Sequence, residues 1–452
     1  MNLVETVKNA GIVGAGGAGF PTHVKLNAKA EWFIINAAEC EPLIETDKYL
    51  CRTFADRIVA AAVAVAAHLE AKHTVIALKH KYHAEIEALR AAITKSGASV
   101  EICEMGVFYP AGDEQTMVEF VTGKSVPERG LPLDVGAVVD NVGTLLNIYG
   151  ALVEQQTVCD KYLSVVGEVK EPIMLHVPIG TAISACIAAA EPNIQEYAII
   201  LGGPMMGKVI SNPEEIAKAV VTKTTGNIIV LPRDHYLIRR AGQSIERIRI
   251  QTHTACIQCR MCTDLCPRFR IGHQIRPHLV MRNLYRENTI ADNDEFLRAF
   301  GDAANCCSCG VCEMFACPMG LSPRKVNDYM KGKLREKGIQ VPRNLEPTAL
   351  PNIDTHRIPT ERLIARLGLS AYSSLHAHTC KELTPDEIFV PFAQHIGKPA
   401  APVKQVGDTV EKGELIAAAA EGALSANIHA GISGIITEIS AAGAQISSKK
   451  EG

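Results

Sequence analysis

The stretches ACIQCRMCTDLCP (residues 255–267) and NCCSCGVCEMFACP (residues 305–318) carry one cadence of cysteines twice, each closing on Cys-Pro. In the first, Cys256, Cys259 and Cys262 are each separated by two residues, and Cys266 follows with three between. This is the ligand run of bacterial [4Fe–4S] ferredoxins, in which three close thiolates wrap one cuboidal cluster and the fourth reaches another. In the second, a single register repeats the step, Cys306, Cys309 and Cys312, with Cys317 after four residues instead of three. Crossing the fourth ligands assigns Cys256, Cys259, Cys262 and Cys317 to one cluster, and Cys306, Cys309, Cys312 and Cys266 to the other. Cys307 is left over and reads as a small buried neighbour, with a redox-active or alternative ligand as the rival reading. A pair of zinc sites is the alternative for the whole module; zinc knuckles also use four thiolates, but do not usually supply a third cysteine at the same step.

The 39 residues from Pro267 to Asn305 exceed the hairpin of a small ferredoxin. They contain NDEFLRAFGDAA, which puts Phe296, Leu297 and Phe300 on one helical face, so the spacing predicts a helical two-cluster domain over 241–330. Nine of the fifteen cysteines lie between Cys256 and Cys317, the distribution of a metal module and not of disulfide staples. The start, MNLVETVKNAGIVG, lacks a secretory pattern, which places the chain in a reducing compartment, the cytoplasm. At 452 residues several domains are expected, and a net charge of -3 offers no broad basic surface for nucleic acid. The apolar run Ile58 to Ala67 is about half of a membrane span, so no transmembrane segment is expected.

Residues 11–26 read GIVGAGGAGFPTHVKL, with Gly14, Gly16, Gly17 and Gly19 crowded together. Glycines at this density let backbone amides approach a phosphate, and Lys25 could neutralise it, although neither the Walker nor the dinucleotide spacing is met. Downstream, WFIIN (32–36), TVIAL (74–78) and VEIC (100–103) read as buried strands separated by helices, an α/β layered domain. Ligands of such sheets bind beyond the carboxyl ends of strands, where NAAECEP puts Asn36, Glu39 and Glu41. The loops YPAGDEQT (109–116) and DNVGTLLNIYG (140–150) supply further acids and amides. Turn capping would account for each of them singly.

Taken in order, GAGGAGFPTHVK, NAAECEP, PAGDEQT and NVGTL resemble the flavin-binding subunit of respiratory complex I and, more closely, the RnfC component of the Rnf electron-transport complex. Across nearly the whole chain the order of modules resembles the cobalamin reductases of the propanediol-utilisation microcompartment. The resemblance implies a Rossmann-like FMN/NADH-binding domain over 1–155, with an FMN cradle of Gly14, Gly16, Gly17, Lys25, Asn36, Glu39, Asn141 and Thr144. It implies that Phe20 and Glu114 meet the nicotinamide nucleotide and serve catalysis. Ala15 and Cys40 depart from the complex I pattern.

YLSVVGEVKEPIMLHVPIGTAISACI, after Cys159, resembles the SLBB β-grasp domain, giving a domain over 156–240; a spacer role is favoured over corrin docking. In LGGPMMGKVI, Met205 and Met206 read as packing residues. Residues 331–385 lack periodicity and read as an extended connector, with HRIPTERLIARLGL as a candidate helix. From 386 to 452 the chain resembles a lipoyl-type barrel-sandwich hybrid, but no lysine falls between Lys412 and Lys449 to carry a cofactor. RnfC proteins have this module near their N-terminus. The fold class expected is therefore multidomain α/β and α+β.

These features together imply an enzyme that moves electrons from NADH through FMN and two [4Fe–4S] clusters to cobalamin, with an adenosyltransferase and microcompartment shell proteins as partners. The alternative is a peripheral NADH-oxidising subunit of an Rnf-type complex; a carrier scaffold with a decayed flavin site is the non-enzymatic rival. The sequence leaves the oligomeric state open.

Overall fold

The computed structural model describes residues 2–448. Its first sheet is parallel, in the order Glu101–Met105, His73–Lys79, Trp32–Asn36, Ala137–Asn141. Both faces are covered. Phe33 and Ile35 pack with the helices Ala55–Leu69, His83–Ser96 and Val142–Val153, while Ile34 between them packs with Met117 and Val118 of the helix Glu114–Thr122. Alternate residues point to opposite faces of a strand, so a run apolar at every position is what a sheet buried on both sides requires. The order reverses between Trp32–Asn36 and Ala137–Asn141, whose last residues, Asn36 and Asn141, stand side by side. Such a switch point opens a crevice at the carboxyl ends of the strands.

A second sheet is mixed: Cys380–Glu382, Ile173–Pro178, Asp160–Gly167, Asn227–Pro232, Tyr197–Leu201, Lys208–Ile210. An antiparallel hairpin leads into the helix Ile183–Ala189, and the strand Asn227–Pro232 returns parallel to Asp160–Gly167, the arrangement of a β-grasp. Helices follow, among them Ile245–Ala255, Pro277–Asn283, Asn293–Phe300 and Pro323–Glu336, around a core of Ile248, Val280, Phe296, Phe300, Val326 and Met330. Two small antiparallel sheets, Glu387–Pro391 with Gly443–Ser447, Gly434–Ile439 and Thr409–Val410, and Ala401–Pro402 with Leu415–Ala418 and Ile428–His429, form the C-terminal barrel. Lys449 lies outside the described residues. No helix among the described residues is long and apolar enough to cross a membrane.

The stretch 331–385 differs from the extended connector expected. The helix Pro323–Glu336 runs across its start, Ile358–Pro359 pairs with Phe108–Tyr109 of the first domain, the helix Thr360–Arg366 follows, and Cys380–Glu382 joins the β-grasp sheet. Strands of two or three residues are too short to show a period, and their partners lie far away in sequence.

The barrel closes onto the first domain. Ile388, Val390, Ile428 and Ile446 share one continuous core with Val7, Ile12 and Val158. Gly11 has φ +67°, and its carbonyl, with that of Asn427, accepts from the buried Lys223 ammonium at 2.6 Å each. A Cβ at Gly11 would collide with Asn427 and Lys223. Gly11→Ala should therefore lower stability by about 2 kcal/mol or more and release the barrel earlier to limited proteolysis, while Gly226→Ala, at a site with open space and no positive φ, is tolerated.

Candidate functional site

The glycine-rich loop lies over the first turn of Val142–Val153. The Ala15 amide donates to Thr144 Oγ1 at 3.0 Å, and Gly16 stands against the Asn141 side chain. Asn141 caps this helix by accepting from the Gly143 amide at 2.8 Å and donates to Asp47 at 2.7 Å. Gly17 has φ +108°, and a Cβ there would meet nothing within 4 Å. The loop thus offers exposed backbone at a helix N-terminus, and the open side fits a phosphate-bearing ligand such as FMN.

Around the crevice, Asn36 donates to Gly112 O at 2.9 Å, which ties the first strand to the PAGDEQT loop. Glu39 has φ +35° and is buried; its carboxylate accepts from the Asp47 amide at 2.7 Å, and its carbonyl from Tyr82 and Lys79. Burial, with Asp47 nearby, pushes its carboxyl well above the ordinary range. Burial likewise lifts Asp140 to about 6 against the pull of Lys25. The Lys25 ammonium donates to Val139 O at 2.6 Å and pairs with Glu114 at 3.1 Å and Asp140 at 3.4 Å, and these acids hold it above the usual lysine range although burial opposes them. Asp140 Oδ2 remains buried without a hydrogen-bond partner. Glu114 is half exposed and Phe20 half buried.

The cysteines gather in two sets. Cys256, Cys259, Cys262 and Cys317 line one small half-open hollow. Cys266, Cys306, Cys309 and Cys312 lie close enough to raise one another's thiol pKa, on top of the larger effect of burial for Cys266 and Cys312. Both loops repeat one backbone conformation: Gln258 (φ +55°) and Arg260 (+69°) in the first, Ser308 (+58°) and Gly310 (+80°) in the second. The left-handed turns direct polar groups at sulphur. The Ser308 amide donates to Cys306 Sγ at 3.3 Å, the Leu321 amide to Cys317 Sγ at 3.3 Å and the Gln258 side chain to Cys256 Sγ at 3.1 Å. Among the described residues no three His, Cys, Asp or Glu side chains converge as ligands of a lone ion do. Thiols ringing a space with N–H donors behind them suit an iron–sulphur cluster.

The second set faces the first domain. Tyr109 Oη donates to Cys309 O at 2.7 Å, and Arg268, two residues after Cys266, donates to Asp113 Oδ1 at 2.8 Å. Although burial would raise it, Arg268 holds the Asp113 carboxyl below its usual range. Cys40, Cys307 and Cys309 share a core with Tyr109 and Met205. Cys307 is half buried and accepts from the Cys309 thiol, which keeps its own thiol pKa low. The first set is nearer solvent, with Cys259 exposed.

The reading of sequence missed Tyr109, Asp113 and Arg268, because each acquires meaning from a partner in another module. It noted Glu41 at the strand edge but not its partner: Glu41 reaches out to accept from the Met205 amide at 2.7 Å. Met205 is buried as a packing residue, whereas Met206 is exposed.

Known families match the same three regions. The Nuo51 FMN-binding domain matches residues 7–150, the 4Fe-4S dicluster domain 255–322 and the RnfC barrel sandwich hybrid domain 372–451. Cobalamin reductase PduS of Citrobacter freundii is 39% identical over 437 residues, 96% of this chain and 94% of the relative. The chain belongs to the cobalamin reductase PduS family. The Salmonella typhimurium member is 39% identical over 440 residues, with the same shares covered. The C component of the proton-translocating ferredoxin:NAD(+) oxidoreductase complex of Clostridium ljungdahlii is 31% identical over 294 residues, 63% of this chain and 60% of its own. An NAD+-reducing [NiFe]-hydrogenase in the H2-reduced state aligns at a TM-score of 0.50 and 24% identity, over 75% of this chain and 67% of the hydrogenase chain, which shows fold alone. This member of the PduS family is an oxidoreductase with FMN and iron–sulphur clusters as cofactors.

Glu41 supplies a pH test. Burial raises its carboxyl to about 7, above that of an unfolded glutamate. The stability linked to its protonated form is present below about pH 4.5 and is lost as pH rises through 7. Glu41→Gln cannot ionise, so it should match the native chain near pH 4.5 and exceed it above pH 7 by roughly 3 kcal/mol at most, read as a growing gap in Tm.

Proposed function

We propose that the chain is an NADH-dependent reductase that passes electrons from NADH by way of FMN and two [4Fe–4S] clusters to cobalamin, from cob(III)alamin to cob(II)alamin and toward cob(I)alamin. This serves coenzyme B12 recycling for propanediol degradation inside a bacterial microcompartment, with an adenosyltransferase and shell proteins as partners. The observation that carries the reading is the direct bonding of the crevice wall to the inner cysteine loop, through Tyr109 to Cys309 O and Asp113 to Arg268. The full-length likeness to proteins named cobalamin reductase supports the acceptor. FMN, when bound, takes two electrons from a hydride and releases them singly, the currency of [4Fe–4S] clusters.

The residues divide the work by position. Phe20 and Glu114, both partly exposed, meet the nicotinamide nucleotide. The set of Cys266, Cys306, Cys309 and Cys312 holds the inner cluster, and Cys256, Cys259, Cys262 and Cys317 hold the outer one, where Cys259 reaches solvent and an acceptor can approach. The likeness to the Clostridium ljungdahlii protein over 63% of the chain favours a second reading, a peripheral NADH-oxidising subunit of an Rnf-type complex. It predicts purification with membrane partners.

Anaerobic mixing of cluster-reconstituted protein with NADH and hydroxocobalamin tests the proposal, with flavin and corrinoid absorbance followed together. Flavin bleaching followed by corrinoid reduction is expected. Bleaching with no corrinoid change, even with the adenosyltransferase added, would overturn the acceptor. Glu114→Ala or Phe20→Ala should slow bleaching by about tenfold or more with iron content unchanged. Cys309→Ala should spare bleaching, lower iron from about eight to about four atoms per chain and impair transfer onward.

A further inference from the structure

The phosphate cradle carries more acid than base. Asp140 and Glu39 are buried around it with Asp47 half-buried beside them, and Lys25 already serves Val139 O, Glu114 and Asp140. A second lysine enters from another domain. Lys161, in the β-grasp strand Asp160–Gly167, is 9% exposed, and its ammonium makes one hydrogen bond, to Ala15 O at 3.4 Å. Ala15 is the loop residue whose amide is bound by Thr144 Oγ1 over the helix N-terminus. Lys161 therefore points at the cradle from the β-grasp side.

An ammonium has three donors, and a buried cation with one long acceptor bond is costly unless an anion joins it. No carboxylate pairs with Lys161 among the described ion pairs. The first turn of Val142–Val153, the solvent-exposed backbone of Gly16 and Gly17 and the Lys161 ammonium all border the same short loop, donors suited to a dianion. Burial depresses Lys161 to about 8, against the pull of Asp47, as expected of a cation waiting for a counter-charge.

We infer that Lys161, supplied by the β-grasp domain, is the cation that neutralises the phosphate of the bound flavin mononucleotide. The inference rests on the FMN site described above. It gives the β-grasp domain a part in cofactor selection: flavin with a phosphate is held by two domains, flavin without one by the first domain alone.

The test is to titrate the flavin-free full chain with FMN and, separately, with riboflavin, which lacks the phosphate, reading fluorescence quenching. Lys161→Met should weaken FMN by about tenfold to a hundredfold and leave riboflavin within about twofold, and Lys161→Arg should restore most of the FMN affinity. Methionine keeps the apolar stem without the charge, and unchanged iron content and Tm verify the fold. Equal weakening of both flavins, or of neither, would overturn the inference. Failure of the native chain to bind either flavin would instead remove the flavin site itself, and the role of Lys161 with it.

Discussion

The ion pair between Arg268 and Asp113 fixes how the two halves of the electron path meet. Both side chains are largely buried, at 10% and 17% exposure. A buried pair adds little net stability, because desolvation of both charges offsets their attraction, but breaking it leaves one charge stranded. Its effect here is register. Asp113 caps the helix Glu114–Thr122 by accepting from the Thr116 amide at 3.0 Å, so the loop before that helix cannot shift without carrying Arg268 with it. Arg268 follows Cys266-Pro267, so the inner cysteine set cannot shift without disturbing the cap.

Other contacts extend the same junction. Tyr109 spans to Cys309 O, and Glu41 holds the Met205 amide while Met205 O accepts from Arg324 at 2.6 Å. On the far side, Arg129 donates to the carbonyls of Val341 and Pro342, and His273 bonds Val126 O at 2.8 Å. The helical cluster domain is therefore gripped at several points, by separate loops of the first domain and by Met205 of the β-grasp domain. A rigid seat of this kind holds the two redox sites at a constant separation, which a flexible linker could not do.

Local chemistry was readable in the sequence and cross-domain chemistry was not. WFIIN is apolar up to its last residue, Asn36, and is a strand buried on both faces; NDEFLRAF shows a helical stripe and is a helix. Cysteine spacing announces its own ligand loops because three ligands come from one short turn. The left-handed residues that shape those turns were hidden, since neither Gln258 nor Arg260 is a residue type that signals positive φ. Hidden too was Lys161, which looks like an ordinary strand residue until the fold sets its ammonium against Ala15, far away in sequence. Pairs such as Asp113 with Arg268 leave no periodic trace, because neither residue repeats and neither needs the other to form its own helix or turn.

The barrel at the C-terminal end clasps the glycine loop near the N-terminal end: Ile396 donates to Gly19 O at 3.0 Å, and Asn427 O shares Lys223 with Gly11. A ribosome releases those two ends of the chain far apart in time. At several residues per second the loop emerges well before its clasp, so the nascent flavin domain waits through most of translation with part of its core exposed. The bonds from Ile396 to Gly19 and through Lys223 to Gly11 can therefore be completed only when synthesis is nearly finished. A chain cut short before the barrel would leave Gly19 O without its donor and Lys223 without the Asn427 carbonyl.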